Sequence, residues 1–467
     1  MSFLERSKII GFTIKKQLIY TKIHIVVTLK FFDLSLHLNN FPIKEAKLHL
    51  SEIQKMKQDM FKAHILARKQ FICNFHLTHN HFYQSFAKGC NPQEWSTVPV
   101  MKKYHLQQPL EKRLSDGFYK HSVYINKTSG SSGNPFTFAK DRFCHALTWA
   151  VIMDRFSWYS IDFNSSKQAR FYGIPLDKKN YYKERIKDWF GNRYRFTVFN
   201  LEDEAFEKCL VKFKNTAFQY INGYTSPITQ FAKFLRRKNI ILTSICPSLR
   251  ICIVTSEMLF EDDRALMEQQ FGVPVINEYG ASELDLIAFQ NNKGDLQLNT
   301  ETLYVEILDE HDNILPYGKE GRIVITSLYN EAHPFIRYDI GDIGLISKDS
   351  AMTKPILKKL VGRSNDLVIL PSGKKAAGLT FYYITKSIIE DDGNVKEFII
   401  EQFKPSQFKI SYTSLKDLST KKIEIIKKEI ENYLESGIDI TFERLKQLER
   451  SKSGKLKQFT SYLNSNQ

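Results

Sequence analysis

Over SEIQKMKQDMFKAHILARKQF (51–71), Ile53, Met56, Met60, Ile65 and Leu66 fall near helical spacing with lysines between them. That period predicts a largely helical lead-in over residues 1–120. From about 140 to 245, helical stretches alternate with short runs of strand formers. Two further runs, LRICIVTSE (249–257) and GVPVINEYGASE (272–283), put β-branched residues directly before a polar turn. An α/β sheet delivers ligand-binding residues at strand ends in this way. Between 303 and 346 the pattern becomes that of strands joined by tight turns, with Pro316 and Gly318 at a bend. Beyond about 361, EFIIEQFKPSQFKISY reads as strands. DLSTKKIEIIKKEIENYL reads as an amphipathic helix with Ile423, Ile426, Ile430 and Leu434 on one face. The expected fold is α/β with α+β elements: residues 1–360 form a large part with α/β sheets and a β-rich subdomain, and 361–467 a small α+β domain, with the boundary at 360–366.

Composition narrows the class. A chain of 467 residues, 42% hydrophobic and 25% charged, is neither disordered nor fibrous. Its net charge of +16 is spread along the chain without a long basic block. Nucleic acid is therefore not expected as a partner, and the excess serves to concentrate anionic substrates. Six cysteines without a CxxC pair suit reduced thiols in the cytoplasm and offer no zinc site. The apolar stretch QLIYTKIHIVVTLKFF (17–32) is interrupted by Lys22, His24 and Lys30. Its uncharged run is far short of the ~20 residues of a membrane span, which leaves only a peripheral contact open.

Chemistry enters with YINKTSGSSGNPFTFAKD (124–141). Gly130 and Gly133 permit close backbone approach, and Thr128, Ser129, Ser131 and Ser132 supply short donors. The loop is either an anion cradle or a plain Ser/Gly turn. It is not a Walker A loop, because two residues separate the glycines and Asn134-Pro135 follows where Lys-Ser/Thr is required.

Four further polar turns follow in order: YGASE (279–283), IRYDIGD (336–342), VGRSNDLVILPSGKK (361–375) and RSKSGKLKQF (450–459). The succession resembles the adenylate-forming superfamily of acyl-CoA synthetases, luciferases and adenylation domains, whose motifs run TSGSTGxP, YGxTE, YRTGD, GRxDDxI and a late SGK. WSTVPVMKK (95–103), TSEMLF (255–260) and HPFIRYDIGD (333–342) look most like the phenylacetate-CoA ligase branch, which includes relatives in capsular polysaccharide biosynthesis.

The resemblance implies an ATP-dependent, AMP-forming ligase of a carboxylic acid, with Mg²⁺ as cofactor and CoA as the expected thiol acceptor. Thr128, Ser129, Gly130, Ser131, Ser132 and Gly133 would hold the β- and γ-phosphates. Glu283 would ligate Mg²⁺, Tyr279 stack on adenine, and Ser282 meet the α-phosphate. Gly280 and Glu257 would complete the nucleotide site, Asp342 would bind the ribose, and Arg363 the ribose or phosphate. Asn365 and Asp366, where the family has Asp-Asp, would form the hinge of a mobile C-terminal domain, and Lys455 would be the catalytic cation of adenylation. Position 136 is Phe where the superfamily commonly has Lys, a Lys that the phenylacetate branch also tends to lack. Tyr220, Tyr224 and Phe289 are candidates for the acyl pocket, with ordinary core packing as the alternative. Other acceptors, an amine or hydroxyl in surface polysaccharide assembly, stay open, as does a homodimer. A non-catalytic basic binding protein is the contrasting class, and it would show no ATP–pyrophosphate exchange.

Overall fold

The computed structural model describes residues 31–128, 136–173, 178–196, 198–363, 367–373, 375–377, 389, 394–450 and 456–463. The lead-in is helical: α1 (Phe31–Leu38), α2 (Ile43–Lys55), α3 (Gln58–His79) and α4 (His81–Phe86). The single helix expected across 51–71 is two. Met56 and Lys57 adopt extended backbone (ψ 134° and 159°), which ends α2 and resets the helical phase. Consequently Phe61, Ile65 and Ile72 turn inward, while Met60 and Leu66 of the expected apolar face are exposed.

The centre is a seven-stranded sheet in the order β4-β3-β5-β6-β7-β8-β9. Its strands are β3 (Gln168–Phe171), β4 (Arg193–Phe196), β5 (Tyr220–Tyr224), β6 (Ile251–Thr255), β7 (Val275–Ala281), β8 (Asp285–Gln290) and β9 (Leu296–Leu298). β4 to β7 pair in parallel, and β7, β8 and β9 pair antiparallel. The parallel strands are buried on both faces and read as near-continuous apolar runs such as Ile251–Thr255. α5 (Arg142–Ser157) and the lead-in helices cover one face. α7 (Asp203–Lys214), α8 (Thr225–Arg237) and α10 (Glu261–Phe271) pack on the other with an aromatic core including Phe206, Phe213, Phe231 and Phe271. The helix α6 (Lys178–Phe190) connects β3 to β4, and the short α9 (Leu242–Ile245) precedes β6.

An antiparallel sheet β10-β11-β12-β13 follows: β10 (Leu303–Leu308), β11 (Glu320–Ser327), β12 (Tyr338–Ile346) and β13 (Leu357–Arg363). This is the β-rich region foreseen from the turn pattern. The hairpin β1 (Tyr124–Lys127) and β2 (Thr137–Lys140) brackets the Ser/Gly loop. Beyond residue 363 come the pair β14 (Leu367–Ile369) and β15 (Lys375–Ala377), and the sheet β18-β17-β16-β19. Its strands are β16 (Val395–Lys404), β17 (Gln407–Ser414), β18 (Asp439–Arg444) and β19 (Phe459–Ser461). The helix α11 (Thr420–Tyr433) packs on it through the predicted face, with Ile426, Ile430 and Leu434 buried. Among the described residues no helix is long and apolar enough to cross a membrane.

Candidate active site

The strand ends foreseen as ligand-bearing converge. Near the end of β7 stands Tyr279, which is buried, and its hydroxyl donates to Asp342 Oδ2 at 2.6 Å. Gly280 follows because the β7–β8 hairpin closes tightly there. A Cβ at that position would lie 2.5 Å from the Asp285 carbonyl oxygen, so no other residue fits without moving backbone. Glu283 is buried in the turn after β7, and Tyr338 Oη donates to its Oε1 at 3.0 Å. Tyr338 and Asp342 lie four residues apart on β12, so one strand holds both the carboxylate and the tyrosine of the YGASE turn. Asp342 is also the register partner of Arg363 across β12 and β13, which places the two expected ribose residues side by side on the backbone.

Beneath the turn, the buried Lys140 pairs with Asp285, whose backbone is left-handed (φ 57°). Burial pulls the Lys140 ammonium down to about 8, while the neighbouring Glu283 carboxylate favours its charge. Ser282 is exposed at the tip of the turn. Thr128 closes the base of the Ser/Gly loop: its N–H donates to the Phe136 carbonyl and its Oγ1 accepts from the Phe136 N–H, both at 3.0 Å. Ser129, Gly130, Ser131, Ser132, Gly133, Asn365, Asp366 and Lys455 lie outside the described residues.

Glu257, expected at the nucleotide, is held by two parts of the chain. Its carboxylate accepts from the Ser226 N–H (2.6 Å) and Oγ (3.2 Å) at the start of α8, and from the Leu456 N–H (3.2 Å). Burial raises its carboxyl above the usual range. Arg450 pairs with Glu397 and reaches Ser226 Oγ at 3.4 Å, and Gln230 donates to the Lys396 carbonyl at 2.8 Å. The C-terminal sheet thus rests on α8 and the 255–260 turn, with Leu456, the residue after the expected catalytic lysine, bonded to Glu257.

Sequence reasoning missed the supporting partners Tyr338, Ser226 and Lys140. Tyr338 stood inside a quoted motif, but only the fold reveals that it faces Glu283. All three acyl-pocket candidates pack in the core, the alternative left open for them, with Tyr224 in the cluster under α7, α8 and α10. Tyr220 is 2% exposed, and Phe289 is fully buried with its ring 5.3 Å from that of Phe156. Among the described residues no group of three or more His, Cys, Asp or Glu side chains is disposed to hold a metal alone.

No family model matches the chain. Over 335 residues it is 33% identical to the phenylacetate-coenzyme A ligase of Aromatoleum evansii, covering 69% of this chain and 74% of that protein. The chain belongs to the phenylacetate-CoA ligase family. A second relative of this ligase family member is the protein CapK of Staphylococcus aureus, 22% identical over 69% of this chain and 72% of its own length. The fold of this family member is shared with a 2-hydroxyisobutyryl-CoA ligase solved in the postadenylation state with R3-HIB-AMP. That structure gives a TM-score of 0.66 at 16% identity, covering 87% of this chain and 91% of its own. The same protein in its thioesterification state, covering 88% and 91%, gives 0.56.

Proposed function

We propose that this AMP-forming acid–thiol ligase activates a carboxylic acid with ATP and passes the acyl group to CoA, using the residues gathered between β7 and β12. The observation that carries the reading is the paired bracing of Tyr279 by Asp342 and of Glu283 by Tyr338. In the first step a carboxylate oxygen of the acid attacks the α-phosphorus, and the bond to the β-phosphate breaks to release pyrophosphate. In the second, the thiolate attacks the acyl carbonyl and AMP leaves.

Both reactants of the first step are anions, so the site must supply fixed donors and cations. Tyr279 stacks on the adenine, Asp342 accepts the ribose hydroxyls with Arg363 beside it, and the Ser/Gly loop from Thr128 to Gly133 holds the terminal phosphates. Lys455 meets the carboxylate and α-phosphate together. A Mg²⁺ ion fits the donor set: it favours one or two carboxylates plus phosphate oxygens over an all-protein cage, and Glu283 is one buried carboxylate at the turn. Bound there, it would neutralise phosphate charge. Residues 365–366 form the hinge about which 361–467 turn between steps. Six free cysteines suit a cytoplasmic setting.

A second reading is transfer of the acyl group to an amine or hydroxyl, with the kinship to CapK as its slender support. ATP–pyrophosphate exchange over an acid panel tests adenylation, and mass spectrometry of products formed with CoA or with amine acceptors separates the two readings. Absence of acid-dependent exchange would overturn both.

A further inference from the structure

The sheet face beneath α5 is apolar through Ile251, Ile253 and Ile276, and then becomes polar toward the C-terminal ends of the parallel strands. Asn222 of β5 lies opposite Arg170 of β3, and Thr255 of β6 lies opposite Glu278 of β7. Asn222 is internally satisfied. Its Oδ1 accepts from Gln168 Nε2 (3.2 Å) and Tyr172 Oη (3.1 Å), and its Nδ2 donates to the Ile253 carbonyl (3.2 Å).

Arg170 is different. Its guanidinium lies 4.1 Å from the centre of the Tyr172 ring, its Nε is buried without a hydrogen-bond partner, and among the described residues no carboxylate lies within ion-pair distance. Glu278 is half-buried one residue before Tyr279, beside Thr255 in the register of β6 and β7, and it feels the Arg170 charge without a direct ion pair to it among the described residues. Burial lowers the arginine to about 10 and raises the glutamate to about 7. Arg170 and Glu278 attract each other across the strands but form no direct ion pair, and buried opposite charges held apart in this way are costly for the fold alone. They make sense as donors and acceptors held for a ligand.

We propose that Arg170 and Glu278 form the acyl-end recognition pair of this ligase and that its substrate is a hydroxy acid, whose hydroxyl accepts from the Arg170 guanidinium and donates to the Glu278 carboxylate. The assignment rests on the ligase reading above and adds the substrate class to it. An acid with only an apolar tail would leave both groups desolvated and unpaired. A site built to bond a hydroxyl rejects the analogue lacking it strongly, whereas an apolar pocket discriminates weakly against an added hydroxyl.

The test is acid-dependent ATP–pyrophosphate exchange with matched pairs: mandelate and 4-hydroxyphenylacetate against phenylacetate, and 2-, 3- and 4-hydroxybutyrate against butyrate. In the wild-type chain at least one hydroxylated member should exceed its unsubstituted partner by about a hundredfold or more in kcat/KM. Arg170→Met and Glu278→Gln should each lower that ratio by about tenfold or more, with Arg170→Lys intermediate, in protein that still gains thermal stability from ATP. Preference for the unsubstituted acid in every pair overturns the substrate class while leaving the ligase reading standing. An unchanged ratio in both variants removes the two residues from recognition. The wild-type ratio decides the substrate class even where a variant fails to fold. No exchange with any acid overturns the ligase reading and the substrate class with it.

Discussion

The proposed nucleotide end and the proposed acyl end of the site meet along β7 and differ in how their polar groups are held. At the nucleotide end Tyr279 is bonded to Asp342, Glu283 to Tyr338, and Gly280 is packed against the Asp285 carbonyl. Each functional group has a partner from a second strand, so its position is fixed before substrate arrives. At the acyl end Arg170 lies over the Tyr172 ring and attracts Glu278 without a direct ion pair. The difference separates chemistry from specificity: fixed geometry suits the step common to every substrate, and unpartnered charge suits the group that distinguishes one acid from another.

The largest expected break in this contrast is at Lys455, proposed to reach the nucleotide end only during adenylation. Lys455→Ala should lower ATP–pyrophosphate exchange by ~10²-fold or more, the contribution of a positioned cation to a charged transition state. Consumption of a chemically prepared acyl-adenylate in the presence of the acceptor should be largely spared. Equal exchange rates in variant and wild type would make Lys455 a solvated lysine. Equal loss in both half-reactions would point to damaged folding or docking.

Next in size are the braces. Glu283→Gln should depress exchange by about tenfold or more even at saturating Mg²⁺, since it removes the charge that suits the metal. Tyr338→Phe removes only one hydrogen bond to that carboxylate, about 1 kcal/mol, and should cost several-fold. Asp342→Ala should act mainly on ATP, raising its KM by about tenfold. If Tyr338→Phe equals Glu283→Gln in effect, the tyrosine does more than hold the carboxylate.

The two ends also differ in how legible they were. The nucleotide end is carried by short contiguous turns, so YGASE and YDIGD could be read through their resemblance to adenylate-forming motifs, while the close packing that admits only Gly280 appears in the fold. Strand ends at Thr255 and Ala281, the β-rich region and the inward face of α11 followed from periodicity alone. The acyl end is assembled from single residues on four strands, 168–172, 222, 255 and 278, whose adjacency exists only in the sheet order β3-β5-β6-β7. In the sequence Arg170 is one more cation and Glu278 a neighbour of a motif. Tyr220 and Phe289 stayed open between pocket and core because aromatic residues fill both, and the apolar face read over 51–71 changed because a two-residue break at Met56–Lys57 resets the phase without proline or glycine to mark it.

A smaller effect follows from the charge held at the acyl end. Glu278 titrates at about 7 in the folded chain against an ordinary 4.5, so the native state binds the extra proton between those values. Its contribution to stability is therefore full below about 4.5 and is lost as pH rises through about 7. The buried His76 and His145, lowered to about 4 and about 3, act in the opposite sense, and stability is lost as pH falls below 6.5 toward those values. Wild type alone would show the two trends superposed. The difference between wild type and Glu278→Gln isolates the glutamate and should change by on the order of 1 kcal/mol between pH 5 and 8, measured by denaturant unfolding. A flat difference would mean that Glu278 is better solvated than its place in the sheet implies.

The smallest effect concerns the contact between the C-terminal sheet and the 255–260 turn. Ser226 Oγ bonds Glu257 and lies 3.4 Å from Arg450, while the Ser226 N–H also bonds Glu257. Ser226→Ala deletes the hydroxyl and leaves the backbone donors of Ser226 and Leu456 in place, so Glu257 keeps two of its three bonds. The loss should be about 1 kcal/mol or less, and it should fall only on the arrangement in which Leu456 sits at Glu257. Leu456 follows Lys455, the cation proposed for adenylation, so that arrangement is the one the proposal assigns to the first half-reaction. Exchange in Ser226→Ala should therefore slow two- to fivefold while thioester formation from supplied acyl-adenylate is unchanged or slightly faster, because the competing arrangement is relatively favoured. An equal slowing of both half-reactions would assign the hydroxyl to the stability of α8 rather than to domain position.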